Sequence, residues 1–169
     1  YRFSLSGQLL QQIRRGDGLA HDNVRDLKFD RFNRLWLATF DGLSRIDGPN
    51  GEIKTWRYES GNTSSLSANR TEPLMEDREG LMWVGTWMNG VNLFIPRTES
   101  FKEINAQSKA PFTLPSSVVP GMFVDVDYTL WLAVSEGGGL IHYDMKKGVL
   151  QRFVNQPDNP ASLPAGVVQ

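Results

Sequence analysis

The chain has 169 residues, a formal net charge of −1, 40% hydrophobic and 22% charged residues, and no cysteine. These values fit one soluble globular unit and exclude wholesale disorder, and the missing thiols exclude disulfides, thiolate metal sites and a cysteine nucleophile. Acids and bases are interspersed, so no basic block addresses nucleic acid, no apolar run is long enough to span a bilayer, and Tyr1 to Leu10 lacks the pattern of a signal peptide.

Five tryptophans, nine phenylalanines and 16 glycines suit a β-rich chain with many tight turns. Residues 1–14 read as the closing strands of a unit: Tyr1–Phe3, a Ser-Gly turn, then Leu9–Ile13. From there a repeat of about 47 residues sets in, and it is the strongest signal in the chain. Leu19, Leu66 and Leu114 are spaced by 47 and 48 residues; Asp30, Asp77 and Asp125 follow each leucine by eleven, and Trp36, Trp83 and Trp131 follow each aspartate by six. The repeats are taken as 15–61, 62–109 and 110–158, with a fourth beginning at 159–169, where Leu163 stands 49 residues after Leu114.

Within the first repeat the pattern is β throughout. "VRDLKFD" alternates, the turn "RFNR" follows, then "LWLAT", a glycine-marked turn, "LSRID" and "EIKTWRY". That predicts four short strands. The inner hairpin turns carry Gly42, Gly90 and Gly139, which supply the positive φ that tight turns need. No segment sustains a 3.6-residue apolar period, so helix should be nearly absent. Four strands per 47 residues, repeated, predicts an all-β fold of β-propeller blades, each of four antiparallel strands. About three and a half blades are present, as in a fragment of a larger, seven-bladed ring. Pro73 and Pro120 fall in the first strand of their units, where an edge position lining the channel tolerates them. The ring would be completed by the remaining blades of a parent protein or by other copies of this chain.

"GLAHDNVRDLKFDRFNRLWLATFDGLSRID" and "SLSANRTEPLMEDREGLMWVGTWMNGVNLF" resemble the two-component regulator propeller repeat. That pattern runs Gly-Leu, a polar patch, Val, a strand ending in Asp, a turn, Leu-Trp-hydrophobic-Gly-Thr, Gly-Leu and a closing Asp. The third copy, "VDYTLWLAV", lacks the turn glycine and the Gly-Thr pair. The resemblance implies a role rather than a reaction. Such repeats form the periplasmic sensor regions of bacterial membrane receptors that carry a histidine kinase, or a diguanylate cyclase, inside the cell. It also implies paired seven-bladed propellers ahead of a small β-sandwich and a membrane helix, and glycans or their breakdown products as ligands for several members.

The stretch Asp77–Gly90 first suggests carboxylates over an aromatic floor. Asp77, however, recurs as Asp30 and Asp125 before a turn, where its oxygens can accept backbone N–H bonds. Trp36, Trp83 and Trp131 recur likewise and suit packing between blades. Phe40 and Trp87 are different: they sit past the second strand, where the third copy has Ser135 or Glu136. Variation on a constant framework marks a place for recognition, with packing against a neighbouring blade as the alternative. The loops "AHDN", "SANR" and "PSSV" enter the channel-lining strand and should ring one mouth of the propeller. His21, Asn23, Asn69 and Arg70 offer hydrogen bonds either to a polar ligand or to the loops themselves. The ligand class expected is a glycan or another small polar molecule.

Nothing in the sequence calls for a cofactor or metal. His21 and His142 lack partners at ligand spacing, "DVDYT" is no calcium loop, and no phosphate loop or nucleophile elbow occurs. The expected function is non-catalytic ligand sensing. The alternatives are a glycan-active enzyme, for which Asp41, Glu72 and Glu136 would be the acids, and a protein-interaction scaffold.

Overall fold

A computed structural model describes residues 1–49, 51–127 and 129–166. Asn50, Tyr128 (in the glycine-less turn of the third repeat) and 167–169 of the fourth repeat lie outside the described residues. Short antiparallel strands build the chain. β1 (Arg2–Phe3) and β2 (Leu9–Gln11) form a two-stranded sheet. Three four-stranded sheets follow, each ordered as the chain runs. The first holds β3 (Val24–Phe29), β4 (Leu35–Thr39), β5 (Gly42–Ile46) and β6 (Ile53–Trp56). The second holds β7 (Thr71–Glu76), β8 (Met82–Thr86), β9 (Val91–Ile95) and β10 (Ser100–Ile104). The third holds β11 (Gly121–Val124), β12 (Leu130–Val134), β13 (Gly139–Asp144) and β14 (Gly148–Phe153). The helix among the described residues is a three-residue 3-10 turn at Arg15–Asp17. These are propeller blades, and the array is open.

The sheets stack face to face, with their first strands side by side: β3 neighbours β7, and β7 neighbours β11. Strand alternation then divides each sheet between two interfaces. Trp36, Ala38 and Leu43 of the first sheet meet Leu74, Met82, Val84 and Phe94 of the second around Leu66. On the far side of the second sheet, Met75, Trp83, Val91 and Leu93 meet Leu130, Leu132 and Tyr143 of the third around Leu114. Leu19 closes a smaller cluster with Leu37, Ile46 and Ile13. The anchoring leucines are therefore wedges at blade interfaces. Trp36 and Trp83 are fully buried there, whereas Trp131 faces the uncovered side of the third sheet and is half-buried, stacked on His142 with ring centroids 4.4 Å apart.

The repeated aspartates close the β3–β4, β7–β8 and β11–β12 turns. Asp77 Oδ1 accepts the Glu79 and Leu81 amides at 2.9 Å, and Oδ2 accepts the Trp83 indole N–H at 2.9 Å. Asp30 does the same for Phe32, Arg34 and Trp36, and Asp125 for Trp131. Burial pushes the Asp30 carboxyl up. The bonds from Trp36 and Arg34, with Arg34's charge, outweigh that and hold it below its ordinary value. The third turn closes without glycine, through Asp125 N donating to Thr129 O at 2.8 Å.

Pro73 sits inside β7 at a bulge between Thr71 and Leu74. β7 is an edge strand, and Asp26 Oδ2 of the neighbouring sheet accepts the Leu74 amide at 2.7 Å. The proline ring in turn explains Gly85, where the other copies have Ala38 and Ala133. A Cβ there would stand 2.6 Å from Pro73 Cγ. Pro120 directly precedes β11.

On the outer face of the first sheet, Val24, Leu27 and Phe29 are exposed. With Leu19, Leu35, Leu37 and Ile13 they line an apolar groove of about 500 Å³ between that sheet and the β1–β2 ribbon.

Candidate functional site

Backbone bonds define one rim of the array. Phe40 N donates to Asn23 O at 3.2 Å, Trp87 N to Arg70 O at 3.1 Å, and Ser135 N to Val118 O at 2.9 Å. The residue after each second strand is thus tied to the loop entering its own first strand, and Phe40, Trp87 and Ser135 are equivalent. Gly42 N then donates to Asn69 O at 2.7 Å, and Gly90 N to Ser117 O at 2.6 Å, which ties the first two turns to the loop of the next blade. The loops and the inner hairpin turns therefore share one mouth. The Asp30, Asp77 and Asp125 turns lie at the other end. β8 alone separates Asp77 from Trp87, about 16 Å for five extended residues. The carboxylates and the exposed tryptophan of Asp77–Gly90 never meet.

At the mouth between the first two blades, four of the sequence-predicted residues come together. The Arg70 guanidinium lies 3.8 Å from the Trp87 ring centroid and 4.8 Å from that of Phe40. His21 lies 6.2 Å from Phe40, centroid to centroid. Trp87 and Phe40 keep 42% and 36% of their surface exposed, enough to offer ring area to a ligand, and the neighbouring Met88 is more exposed still. Arg70 Nη2 and Nε donate to Glu72 Oε1 at 2.9 and 3.2 Å.

Asn23 and Asn69 serve the loops. The Asn23 amide donates to His21 Nδ1 at 2.9 Å. Asn69 Oδ1 accepts the Tyr58 amide at 2.7 Å, while its Nδ2 donates to Asp41 at 3.2 Å. Asp41 also faces Arg57 at 3.4 Å and Arg15 at 3.7 Å. Glu136 belongs to the third blade's turn, at φ 55°, one residue past the position equivalent to Phe40 and Trp87. There it accepts the Ser116 hydroxyl at 2.8 Å.

One member of the cluster escaped the sequence reading: Arg25, from β3. Its Nε lies 3.5 Å from Glu72 Oε1 and its guanidinium 5.2 Å from the Phe40 centroid. The signal was present. Arg25 and Glu72 are 47 residues apart, one repeat, so equivalent positions of adjacent first strands carry opposite charges.

A rim cluster of this make-up can hold a ligand by stacking on the indole and phenyl faces and by donation from guanidinium N–H groups. No helix among the described residues is long and apolar enough to cross a membrane.

No family model matches the chain, and no curated protein matches it in sequence. Solved structures do. The chain is similar to the extracellular domain assigned to a hybrid two-component system of B. thetaiotaomicron. That match has a TM-score of 0.74 and 23% identity, over 85% of this chain and 20% of that one. A second such domain from the same organism matches with a TM-score of 0.76 and 19% identity, over 97% and 21%. Virginiamycin B lyase from Staphylococcus aureus matches with a TM-score of 0.66 and 12% identity, over 92% and 48%. The chain spans about a fifth of the length of the two-component domains. At these identities the likeness establishes the fold: the chain is built of propeller blades like those of these extracellular domains.

Proposed function

We propose that the chain is part of a ligand-sensing propeller on the extracytoplasmic side of a bacterial two-component receptor, and that its two-component regulator repeats carry no catalysis of their own. One observation carries the reading. The framework repeats side chain by side chain, and the copies diverge where the mouth gathers Trp87, Phe40, Arg70 and His21 on one surface. The likeness to extracellular domains of two-component systems supports the receptor context and a periplasmic location. A histidine kinase or a diguanylate cyclase would be the output module. Ligand at the mouth would favour one arrangement of the sensor relative to the membrane, by its difference in affinity for the two arrangements. A glycan or another small polar molecule is the ligand class.

The apolar groove beside Val24, Leu27 and Phe29 needs cover, supplied by further blades of the parent protein or by other copies. Light scattering on the isolated chain separates the two. The receptor reading is tested on the complete reading frame: a membrane helix and a kinase or cyclase module downstream are expected, and the absence of both would refute it.

An enzymatic reading draws on the likeness to a lyase and on Asp41, Glu72 and Glu136 at the mouth. Turnover of a polysaccharide that is lost in D41N, E72Q and E136Q variants would establish it in place of sensing.

A further inference from the structure

Beside the aromatic faces of the mouth, two guanidiniums meet a single carboxylate. Glu72 is the inner group: its side chain is 14% exposed, against 42% for Arg25 and 37% for Arg70. Both guanidiniums are directed at one of its oxygens, Oε1. The other nearby acid, Asp41, is opposed by Arg15 and Arg57 together. Asp22 is occupied by the Arg15 amide at 2.7 Å. Against the aromatic faces, therefore, two guanidiniums, Arg25 and Arg70, share one carboxylate, Glu72.

The geometry favours use of that surplus. The Arg70 guanidinium lies 3.8 Å from the Trp87 ring centroid, and its Nε and Nη2 reach Glu72 Oε1, so Trp87 and Glu72 hold it in place at the mouth. Arg25 is held through Nε alone among the described residues, so its terminal nitrogens remain available for a bidentate acceptor. A planar anion seated there would have Phe40 and Trp87 beside it for an apolar face. Neutral sugars gain the stacking but leave the guanidinium edge without a charged partner.

We propose, building on the reading of this mouth as the ligand site, that it selects a carboxylate-bearing ligand with a flat apolar face. Arg25 and Arg70 bind the carboxylate, and Trp87 and Phe40 bind the body. A uronic-acid sugar and a small aromatic acid both meet that description.

The test follows the Trp87 indole N–H resonance of the whole chain, assigned by its loss in W87F. The chain is titrated to about 1 mM, the range of weak single-site binding, with a galacturonate trisaccharide, the matching neutral galactose trisaccharide, and phenylacetate. We expect an acidic probe to move the Trp87 signal and bind at least about tenfold more tightly than the neutral sugar, the scale of one charge-assisted bond. Which acid binds identifies the source. R25Q, checked for an unchanged melting curve, should lose about tenfold, while R97Q, which removes the same charge from an exposed turn, should not. A neutral sugar that binds as well as the acids, or an R25Q variant that binds them normally, overturns the carboxylate proposal and leaves the mouth as a ligand site. If no probe moves Trp87, the carboxylate proposal fails; if the probes move only residues elsewhere, the mouth falls with it.

Discussion

The aspartate–tryptophan bond at the outer turns makes a quantitative prediction through Asp77→Asn. In the native turn Asp77 accepts three donors: the Glu79 and Leu81 amides and the Trp83 indole N–H. Asparagine has one acceptor oxygen. If that oxygen stays on the two amides, the Asn N–H₂ group confronts the indole N–H, and Trp83 is 1% exposed. If the amide flips, the indole is satisfied and two backbone donors lose their acceptor. A buried unsatisfied donor costs about 1–3 kcal/mol, and a lost turn bond about 1 kcal/mol. D77N should therefore cost about 2–4 kcal/mol, which for a chain of this size lowers the melting temperature by about 5–15 °C. The comparison that isolates the bond is a double-mutant cycle with Trp83→Phe, which removes the indole donor. D77N should cost at least about 1 kcal/mol less in the W83F background than in the native one. Urea unfolding followed by circular dichroism measures all four corners. Additive costs would refute the assignment and leave Asp77 as a turn former with no stake in the core.

Three further outcomes are expected. Tyr143 is 1% exposed, its hydroxyl has no hydrogen-bond partner among the described residues, and burial pushes that hydroxyl well above its ordinary pKa; the equivalent residue of the second blade is Phe94. Y143F should be neutral or stabilising by up to about 1 kcal/mol in urea unfolding. Gly90 combines φ 74° with a Cβ position that would collide with Ile104 O, whereas Gly7 has φ 82° and open space. G90A should cost clearly more than the roughly 1 kcal/mol expected for G7A, measured by thermal melting. The Asp30 carboxyl sits below its ordinary value when folded, so its stabilisation is full above the unfolded value near pH 4 and is lost as pH falls through the folded one. D30N should flatten the acid limb of a stability–pH curve and leave the slope above about pH 5 unchanged.

The framework was legible because its residues act through size and repetition. A leucine wedge, a turn aspartate and a core tryptophan do the same task in each blade, so their spacing alone marks them. What stayed hidden depends on register across strands. Ala20 N donates to Ser44 Oγ at 2.9 Å, and the equivalent Ser67 N donates to Asn92 Oδ1 at 3.0 Å. In the third blade the donor position is Pro115, which has no N–H, and the acceptor position is Ile141, fully buried. The three pairs change together, yet they sit some 25 residues apart and mean nothing until β5, β9 and β13 are aligned. Arg25 was missed for a similar reason, since its partner Glu72 belongs to another blade. Leu27 and Phe29 alternate as an apolar face, and both line the open groove.

The same registry shows why the side chains at Phe40, Trp87 and Ser135 are free to differ between blades. Each of these residues is fixed through its amide, donated to Asn23 O, Arg70 O or Val118 O, and that bond is indifferent to the side chain. Gly42 and Gly90 anchor the first two turns to the next blade, again through backbone. Phenyl, indole and hydroxymethyl groups therefore occupy equivalent places without disturbing the sheets, as a surface substitution away from core and caps should. At Trp36 or Trp83 the same exchange would open a cavity between two blades and orphan an aspartate. The propeller separates residues that must repeat from residues that may differ, and the second group collects at one mouth, where Arg25 and Arg70 give it charge.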